Sequence, residues 1–171
     1  MKKILGLVLS LTIISGVCAA VLAYVDSVTK DPIAKMKVQQ EQSAVKAVLP
    51  PGATEVVEGT GFFVGMNEKN DIVGYAAKGK DGGGYGGDIE LMVGFMPDKK
   101  TLVCYKTLAA SETPGLGMKL KTPEFAGQFA GKDGRSLKVR KDGGEIEAIT
   151  SATITSRAVC RAIADAQAKL K

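Results

Sequence analysis

The stretch that decides the fold is Glu147-Ala148-Ile149-Thr150-Ser151-Ala152-Thr153-Ile154-Thr155-Ser156, which opens the C-terminal helix of the chain. Seven of these residues, 150–156, carry five hydroxyl groups. Apolar residues at helical spacing follow and predict a buried stripe: Val159, Ile163, Ala166 and Leu170. Because a helix N-terminus offers free backbone N–H groups and the positive end of the helix dipole, this stretch favours an anion such as a phosphate.

The hydroxyl groups also have a simpler interpretation, since serine and threonine are preferred N-cap residues. One cap needs one hydroxyl, however, and this stretch has more hydroxyls than capping requires. On another face of the predicted helix lie Arg157, Arg161 and Asp165, and the last two are spaced as an i,i+4 ion pair.

The segment Thr150-Ser151-Ala152-Thr153-Ile154-Thr155 resembles the Ser/Thr-Gly-Ala-Thr-x-Thr motif of a flavin-binding domain found in two membrane electron-transfer systems. These are the Rnf complex, in its G subunit, and the sodium-pumping NADH:quinone oxidoreductase, in its C subunit. In that family FMN is joined through its phosphate to the last threonine of the motif, so the resemblance implies a phosphoester at Thr155. Ser151 stands where the family usually has glycine, and Glu147 stands where an upstream aspartate is usual.

A second segment, Glu112-Thr113-Pro114-Gly115-Leu116-Gly117, is similar to another signature of the same family and lies upstream of the first, in the expected order. Taken alone, its Pro-Gly dipeptide indicates only a turn. Two motifs at compatible spacing are much more specific than one. The resemblance extends from the N-terminal apolar segment to Lys171.

A glycine-rich run, Gly82-Gly83-Gly84-Tyr85-Gly86-Gly87, formally matches the dinucleotide-binding pattern G-x-G-x-x-G. That pattern requires a helix after it, whereas residues 88–96 have the composition of a strand. We therefore expect a flexible or tightly turned loop here, although Gly-Tyr-Gly-Gly followed by a strand is also similar to the family pattern.

The resemblance implies a set of residues around the flavin. Thr150, Ser151, Ala152 and Thr153 are expected near the phosphate, and Glu112 and Thr113 at an edge of the ring. Leu116 offers an apolar face, Gly115 and Gly117 allow close backbone approach, and family analogy gives Lys141 the role of stabilising an anionic flavin.

The resemblance further implies an electron relay without catalytic residues of its own, in a complex that links ferredoxin and NAD chemistry to ion movement. Its partners would be membrane subunits that hold flavin and iron–sulfur centres, with a flavin transferase for maturation. The C subunit of the sodium-translocating NADH:quinone oxidoreductase and a non-redox, membrane-tethered binding or assembly module are the alternatives. The Rnf-type G subunit is favoured because the domain is compact, the Gly-Tyr-Gly-Gly and Glu-Thr-Pro-Gly-Leu-Gly segments are close together, and long insertions are absent.

The amino-acid composition argues against several classes of function. The chain has 171 residues and no histidine, the commonest general base and metal ligand. Its three cysteines, Cys18, Cys104 and Cys160, show no metal-binding spacing. We expect Cys104 and Cys160 to be buried free thiols, because free cysteine packs as a small hydrophobe. The alternative, a disulfide between them, requires that the fold bring their Cα atoms within about 7 Å. Charge is nearly balanced, at 23 basic and 18 acidic residues, and tryptophan is absent, so nucleic acid is not an expected partner.

The N-terminal segment predicts a membrane anchor. Lys2 and Lys3 precede 22 uncharged residues, Ile4 to Val25, and a helix of that length spans roughly 33 Å. The competing interpretation is a cleaved signal peptide, whose apolar region is normally shorter, about 7–15 residues. The positive-inside rule places the N-terminus in the cytoplasm and the remainder outside. The expected division is an anchor over residues 1–25, a juxtamembrane helix and linker over 26–52, and an extracytoplasmic FMN-binding domain over 53–171.

The remaining pattern predicts an α+β (α/β) fold, in which the transmembrane helix is followed by a mostly antiparallel sheet with flanking helices. A juxtamembrane helix is expected over 26–48, with Asp31 and Pro32 as a candidate start. A short helix is expected over 122–129. Strands are expected over 54–58, 61–66, 72–77, 88–96, 101–108, 137–140 and 145–149.

Overall fold

The computed structural model describes residues 2–171, with side chains from Lys3 onward. It begins with one long helix, α1, Lys2–Val48. Within the described residues, α1 is the one helix long and apolar enough to cross a membrane. Its side chains from Ile4 to Val25 are all exposed, which suits a lipid environment rather than a protein core.

Pro32 lies inside α1, so the prediction of a new helix beginning at Asp31-Pro32 was wrong. Proline removes one backbone hydrogen bond, yet the helix continues on both sides of it. The predicted end holds, because Pro50 and Pro51 follow directly after the helix terminates at Val48. By contacts, the chain divides into two compact units, one up to Gln40 and one from Glu41 to Lys171.

The second unit is built on a five-stranded antiparallel sheet whose strands lie in chain order. The strands are β1 Glu55–Glu58, β2 Phe62–Met66, β3 Ile72–Gly84, β4 Gly87–Phe95 and β5 Leu102–Ala110. Five of the seven predicted strands are therefore present, β3 being longer than expected. The sheet with its flanking helices confirms the predicted fold class.

The sheet has a buried residue set on each face. Alternate residues of β4, Ile89, Leu91, Val93 and Phe95, belong to the main core. Met92, on the opposite face, packs with the last turns of α1 at Val45 and Val48. Because side chains alternate across a strand, β4 is buried on both faces of the sheet.

The C-terminal helix α3, Thr153–Ala168, covers the main core. The predicted stripe is confirmed, since Val159, Ile163, Ala166 and Leu170 are all buried. Contact with the sheet is close: a Cβ atom at Gly79 of β3 would lie 1.9 Å from the Ala162 carbonyl oxygen. Gly79 therefore lets the helix backbone approach the strand.

Between β5 and α3 the chain forms short helical turns. These are 3-10 turns at Gly117–Lys121, Gly127–Phe129 and Arg140–Asp142, and the short helix α2, Pro123–Ala126. Strands predicted over 137–140 and 145–149 were wrong, because only a single parallel bridge, Val139 to Ile146, joins these segments. Gly143, in the left-handed region at φ 79°, closes the 3-10 turn between them, which leaves no room for a ladder.

Candidate functional site

Three segments that are distant in sequence meet around a cavity of about 540 Å³. They are the turn between β3 and β4, the loop after β5, and the first turn of α3 with the residues before it. The lining residues are Tyr85, Glu112, Thr113, Leu116, Gly117, Ser151, Ala152, Thr153, Ile154 and Thr155. The two motifs singled out in the sequence therefore form opposite parts of one cavity.

Thr155 lies at the floor of this cavity, in the first turn of α3, with its side chain 1% exposed. Its Oγ1 donates a hydrogen bond to Oε2 of Glu112 at 2.9 Å. These two residues are 43 positions apart in sequence, so the contact joins the two motifs directly. Thr155 belongs to α3, which packs on the sheet, so its hydroxyl is positioned by a regular helix and not by a loop.

Glu112 is itself buried, at 7% exposure. Its second carboxylate oxygen, Oε1, faces the backbone N–H of Gly86 at 3.4 Å. Among the ion pairs of the described residues, none includes Glu112. A buried carboxylate without a cation is costly, and such groups occur mainly where they serve a function.

Glycines make this arrangement possible. A Cβ atom at Gly117 would lie 2.5 Å from Oε2 of Glu112 and 3.0 Å from Oγ1 of Thr155. At Gly86 a Cβ atom would lie 1.8 Å from the Ser111 carbonyl oxygen, so the turn between β3 and β4 packs on the loop after β5. The glycine-rich run is therefore not a loop throughout: its first three glycines end β3, Tyr85 and Gly86 form a tight turn, and Gly87 begins β4, so that a strand and not a helix follows.

Within the hydroxyl-rich stretch, Ser156 has a structural role. Buried at 0% exposure, its Oγ accepts from the Ile149 N–H at 2.9 Å and donates to the Ala152 carbonyl at 3.0 Å. The N-cap residue of α3 is Ala152, and no side chain caps the helix there. The remaining hydroxyls are therefore not engaged as N-caps.

Ser151 has a positive φ of 62°, a left-handed conformation that glycine adopts most easily. The backbone conformation at this position therefore explains why the family usually has glycine there. For serine the same conformation costs about 1 kcal/mol or more.

Three predicted site residues lie away from the cavity lining. Thr150 borders a separate cavity of about 200 Å³. Gly115 lies in the loop after β5 at φ 75°. Lys141 is exposed in the 3-10 turn, beside Asp142, whose carboxylate binds Arg157 at 2.6 and 2.7 Å.

Two lining residues, Tyr85 and Ile154, were not predicted. Tyr85 is 73% exposed and Ile154 49% exposed, so both present apolar surface at the cavity mouth. The Gly-Tyr-Gly-Gly pattern pointed to the turn that holds Tyr85, and Ile154 occupies the variable position of the hydroxyl motif. Their position at the cavity mouth could not be predicted from the sequence, because it results from the packing of segments that are distant in the chain.

A family profile, the FMN-binding domain, matches residues 84–168, which include all three segments of the cavity. Over 173 aligned residues, the chain is 32% identical to the G subunit of the ion-translocating oxidoreductase complex of Methanosarcina acetivorans, covering 95% of this chain and 92% of that protein. It is 35% identical to the G subunit of the proton-translocating ferredoxin:NAD(+) oxidoreductase complex of Clostridium ljungdahlii, covering 90% and 82%. For the G subunit of the Na(+)-translocating ferredoxin:NAD(+) oxidoreductase complex of Acetobacterium woodii, identity is 31%, covering 92% and 87%.

Two solved structures share the fold. The C subunit of the Na(+)-translocating NADH-quinone reductase from Parabacteroides distasonis aligns with a TM-score of 0.51 at 22% identity, covering 72% of this chain and 75% of that chain. NqrC of Shewanella oneidensis aligns with a TM-score of 0.53 at 20% identity, covering 70% of this chain and 65% of that one, slightly less than two thirds of its length. With its two motifs joined at one cavity and full-length relatives above 30% identity, the chain belongs to the G-subunit family of ion-translocating (Rnf-type) oxidoreductase complexes and contains an FMN-binding domain.

Proposed function

We propose that this protein is the membrane-anchored flavoprotein subunit of an ion-translocating ferredoxin:NAD(+) oxidoreductase complex, and that it relays electrons through FMN linked to Thr155 by a phosphoester. One observation carries the proposal: the hydroxyl of Thr155 lies at the floor of the cavity that both family motifs line.

The cavity fits a group of this kind. Its volume of about 540 Å³ lies within the usual range for cofactor sites, about 300–1,000 Å³. Its mouth carries apolar side chains, and its floor carries hydroxyls and the start of a helix. This combination suits a ligand with a flat apolar part and an anionic end, because helix N-termini favour phosphate and apolar side chains favour a ring.

Bound FMN would supply the redox chemistry, while the protein sets its position and surroundings. Ser151, Thr153 and the first backbone amides of α3 would bind the phosphate. Thr113 would donate or accept a hydrogen bond at a polar edge of the ring. Leu116, with the side chains at the cavity mouth, would exclude water from one face.

Covalent attachment has a physical advantage for a relay. A tethered cofactor keeps a high effective concentration at its site and is not lost by dissociation. This matters most in the proposed topology, where Lys2 and Lys3 hold the N-terminus in the cytoplasm and the domain lies outside, with lipid around α1. A flavin transferase would install the FMN, and the electron-transfer partners would be the other subunits of the complex.

The test is purification of the full chain after co-expression with a flavin transferase. We expect a yellow, fluorescent protein whose mass exceeds that of the unmodified chain by one FMN minus one water. Thr155→Ala should abolish both signals. Thr150→Ala is the matched control, because Thr150 lies outside the cavity lining, and it should retain both.

A colourless, unmodified wild-type chain under these conditions would contradict the proposal and favour a non-redox binding or assembly module. The C subunit of the sodium-translocating enzyme is a weaker alternative, because the likeness to those structures, at 20% and 22% identity, extends only to the fold.

A further inference from the structure

We infer that Glu112 accepts the proton of the Thr155 hydroxyl when FMN is attached, so that this protein supplies a catalytic residue for its own modification. The inference rests on the proposed attachment at Thr155 and adds the group that activates it. A threonine hydroxyl is a weak nucleophile and normally needs an adjacent base.

The geometry is that of a nucleophile and its base. Oγ1 of Thr155 and Oε2 of Glu112 are 2.9 Å apart, within the reach required for proton transfer. Both side chains are nearly inaccessible, at 1% and 7% exposure. Histidine is absent from the chain, and Glu112 is the one carboxylate among the buried polar side chains of the described residues.

A contribution to stability does not explain why position 112 has a glutamate. A neutral glutamine could accept the same hydrogen bond from Thr155 without the cost of a buried charge. Glu112 has no ion-pair partner within residues 3–171 to offset that cost. A glutamate at this position is therefore better explained by a role in proton transfer than by packing.

The surrounding backbone fixes the pair in position. Gly117 leaves no space for a side chain above it, since a Cβ atom there would lie 2.5 Å from Glu112 and 3.0 Å from Thr155. On the other side, a Cβ atom at Gly84 would lie 2.7 Å from Oε1 of Glu112. Backbone packed this closely on both sides restricts the carboxylate to orientations that face the hydroxyl.

The step balances with a phosphoric anhydride of FMN as co-reactant. As Oγ1 of Thr155 attacks phosphorus, the new P–O bond forms and its proton moves to Oε2 of Glu112. The P–O bond to the leaving phosphate breaks and its electron pair leaves with that phosphate, so no oxidation state changes. At the end of the step the proton is on Glu112, so the carboxyl beside the attached phosphate is neutral.

The experiment measures the rate of covalent flavin incorporation into the full chain in detergent, with purified flavin transferase and flavin adenine dinucleotide, across a pH series. We expect Glu112→Gln to slow incorporation at least 100-fold, in line with the usual contribution of a general base of about 10²–10⁴. Glu112→Asp, which keeps the carboxylate at a changed distance, should be intermediate. Glu124→Gln, at an exposed position outside both motifs, should match the wild type.

Comparing each variant with the wild type at each pH removes the transferase's own pH dependence. At every pH we expect Glu112→Asp to recover part of the rate that Glu112→Gln loses. A purely structural role would not produce this rescue, because glutamine keeps the side-chain length and the acceptor atom that the Thr155 hydroxyl uses. Equal rates for wild type and Glu112→Gln at all pH values would overturn the inference and leave Thr155 attachment intact. A wild type that takes up no flavin would remove both proposals. If Glu112→Gln does not fold, the Glu112→Asp variant provides the test instead. An incorporation rate equal to that of the wild type in Glu112→Asp would then overturn the inference.

Discussion

Arg161 of α3 forms a two-point ion pair with Asp81 of β3, with distances of 2.8 Å from Nε to Oδ2 and 2.9 Å from Nη2 to Oδ1. The predicted pair of Arg161 with Asp165 was wrong. Asp165 instead binds Lys169 at 2.9 Å and accepts from the backbone N–H of Lys80. Arg161 thus pairs with a residue of the sheet, whereas Asp165 keeps a local i,i+4 partner, Lys169, and also binds the sheet backbone at Lys80.

This ion pair predicts a pH dependence of stability. Hydrogen bonds from Arg161 lower the pKa of Asp81 below its ordinary value. A depressed carboxyl pKa contributes stability that is present above the unfolded-state pKa, about 3.9, and is lost as the pH falls through the folded-state pKa. Since both side chains are partly exposed to solvent, Asp81→Asn should cost only about 0.5–1 kcal/mol at pH 7. Urea unfolding of both proteins should show this difference shrinking below about pH 4. A difference that persists unchanged in acid would contradict this account.

The close contact at Gly79 predicts that adding a side chain there strongly destabilises the protein. Gly79→Ala places a Cβ atom 1.9 Å from the Ala162 carbonyl oxygen, so α3 must shift away from β3. We expect a loss of about 3 kcal/mol, at the upper end for overpacking. Gly127→Ala is the matched control, because nothing lies within 4 Å of its Cβ position and its φ of −63° suits alanine. Thermal unfolding should separate the two, and equal melting temperatures would show that α3 does not pack as described.

Tyr105 predicts the cost of a lost buried hydrogen bond. Its hydroxyl donates to the Leu120 carbonyl at 2.5 Å, and burial raises the pKa of this hydroxyl. Tyr105→Phe leaves that carbonyl without its partner and should cost about 1–3 kcal/mol in unfolding free energy. Tyr85→Phe, at a side chain 73% exposed, should change stability by less than about 0.5 kcal/mol. If Tyr105→Phe and Tyr85→Phe reduced the unfolding free energy equally, the Tyr105 hydroxyl would not form a buried hydrogen bond.

The cysteines predict a difference in thiol reactivity. Both thiols are free, as predicted, and Cys160 is buried; the predicted burial of Cys104 is only partial. Burial raises the pKa of Cys160 to about 11, so at pH 8 only about one molecule in a thousand carries the reactive thiolate. In a Cys18→Ser background, maleimide should label Cys104 before Cys160 in the folded protein and both at similar rates after denaturation. Faster labelling of Cys160 in the folded state would contradict its burial.

Sequence periodicity predicted the parts of the fold that depend on local pattern. The apolar stripe of α3 and the alternating strands of the sheet follow directly from helical and strand periods. Residues 137–149 were mispredicted, because short apolar segments there pack singly into the core between 3-10 turns. Pro32 was mispredicted because α1 continues through the one backbone hydrogen bond that proline removes.

The site was predictable in its two motifs but not in how they interact. Family resemblance placed Glu112 at a ring edge, whereas its carboxylate lies against the Thr155 hydroxyl. No sequence pattern specifies a contact across 43 residues, which depends on how β5 and α3 pack. For the same reason, nothing local separated Ser156, which braces the helix start, from the hydroxyls that face the cavity.

The most direct test of the attachment site is peptide mapping by mass spectrometry of the flavinylated protein. Arg157 ends the tryptic peptide that contains the hydroxyl-rich stretch, so one peptide carries every candidate position. Fragmentation should place FMN on Thr155, at the cavity floor beside Glu112, and should leave Thr150, Ser151 and Thr153 unmodified. FMN found on one of these other hydroxyls, or on a peptide outside this stretch, would contradict the central claim.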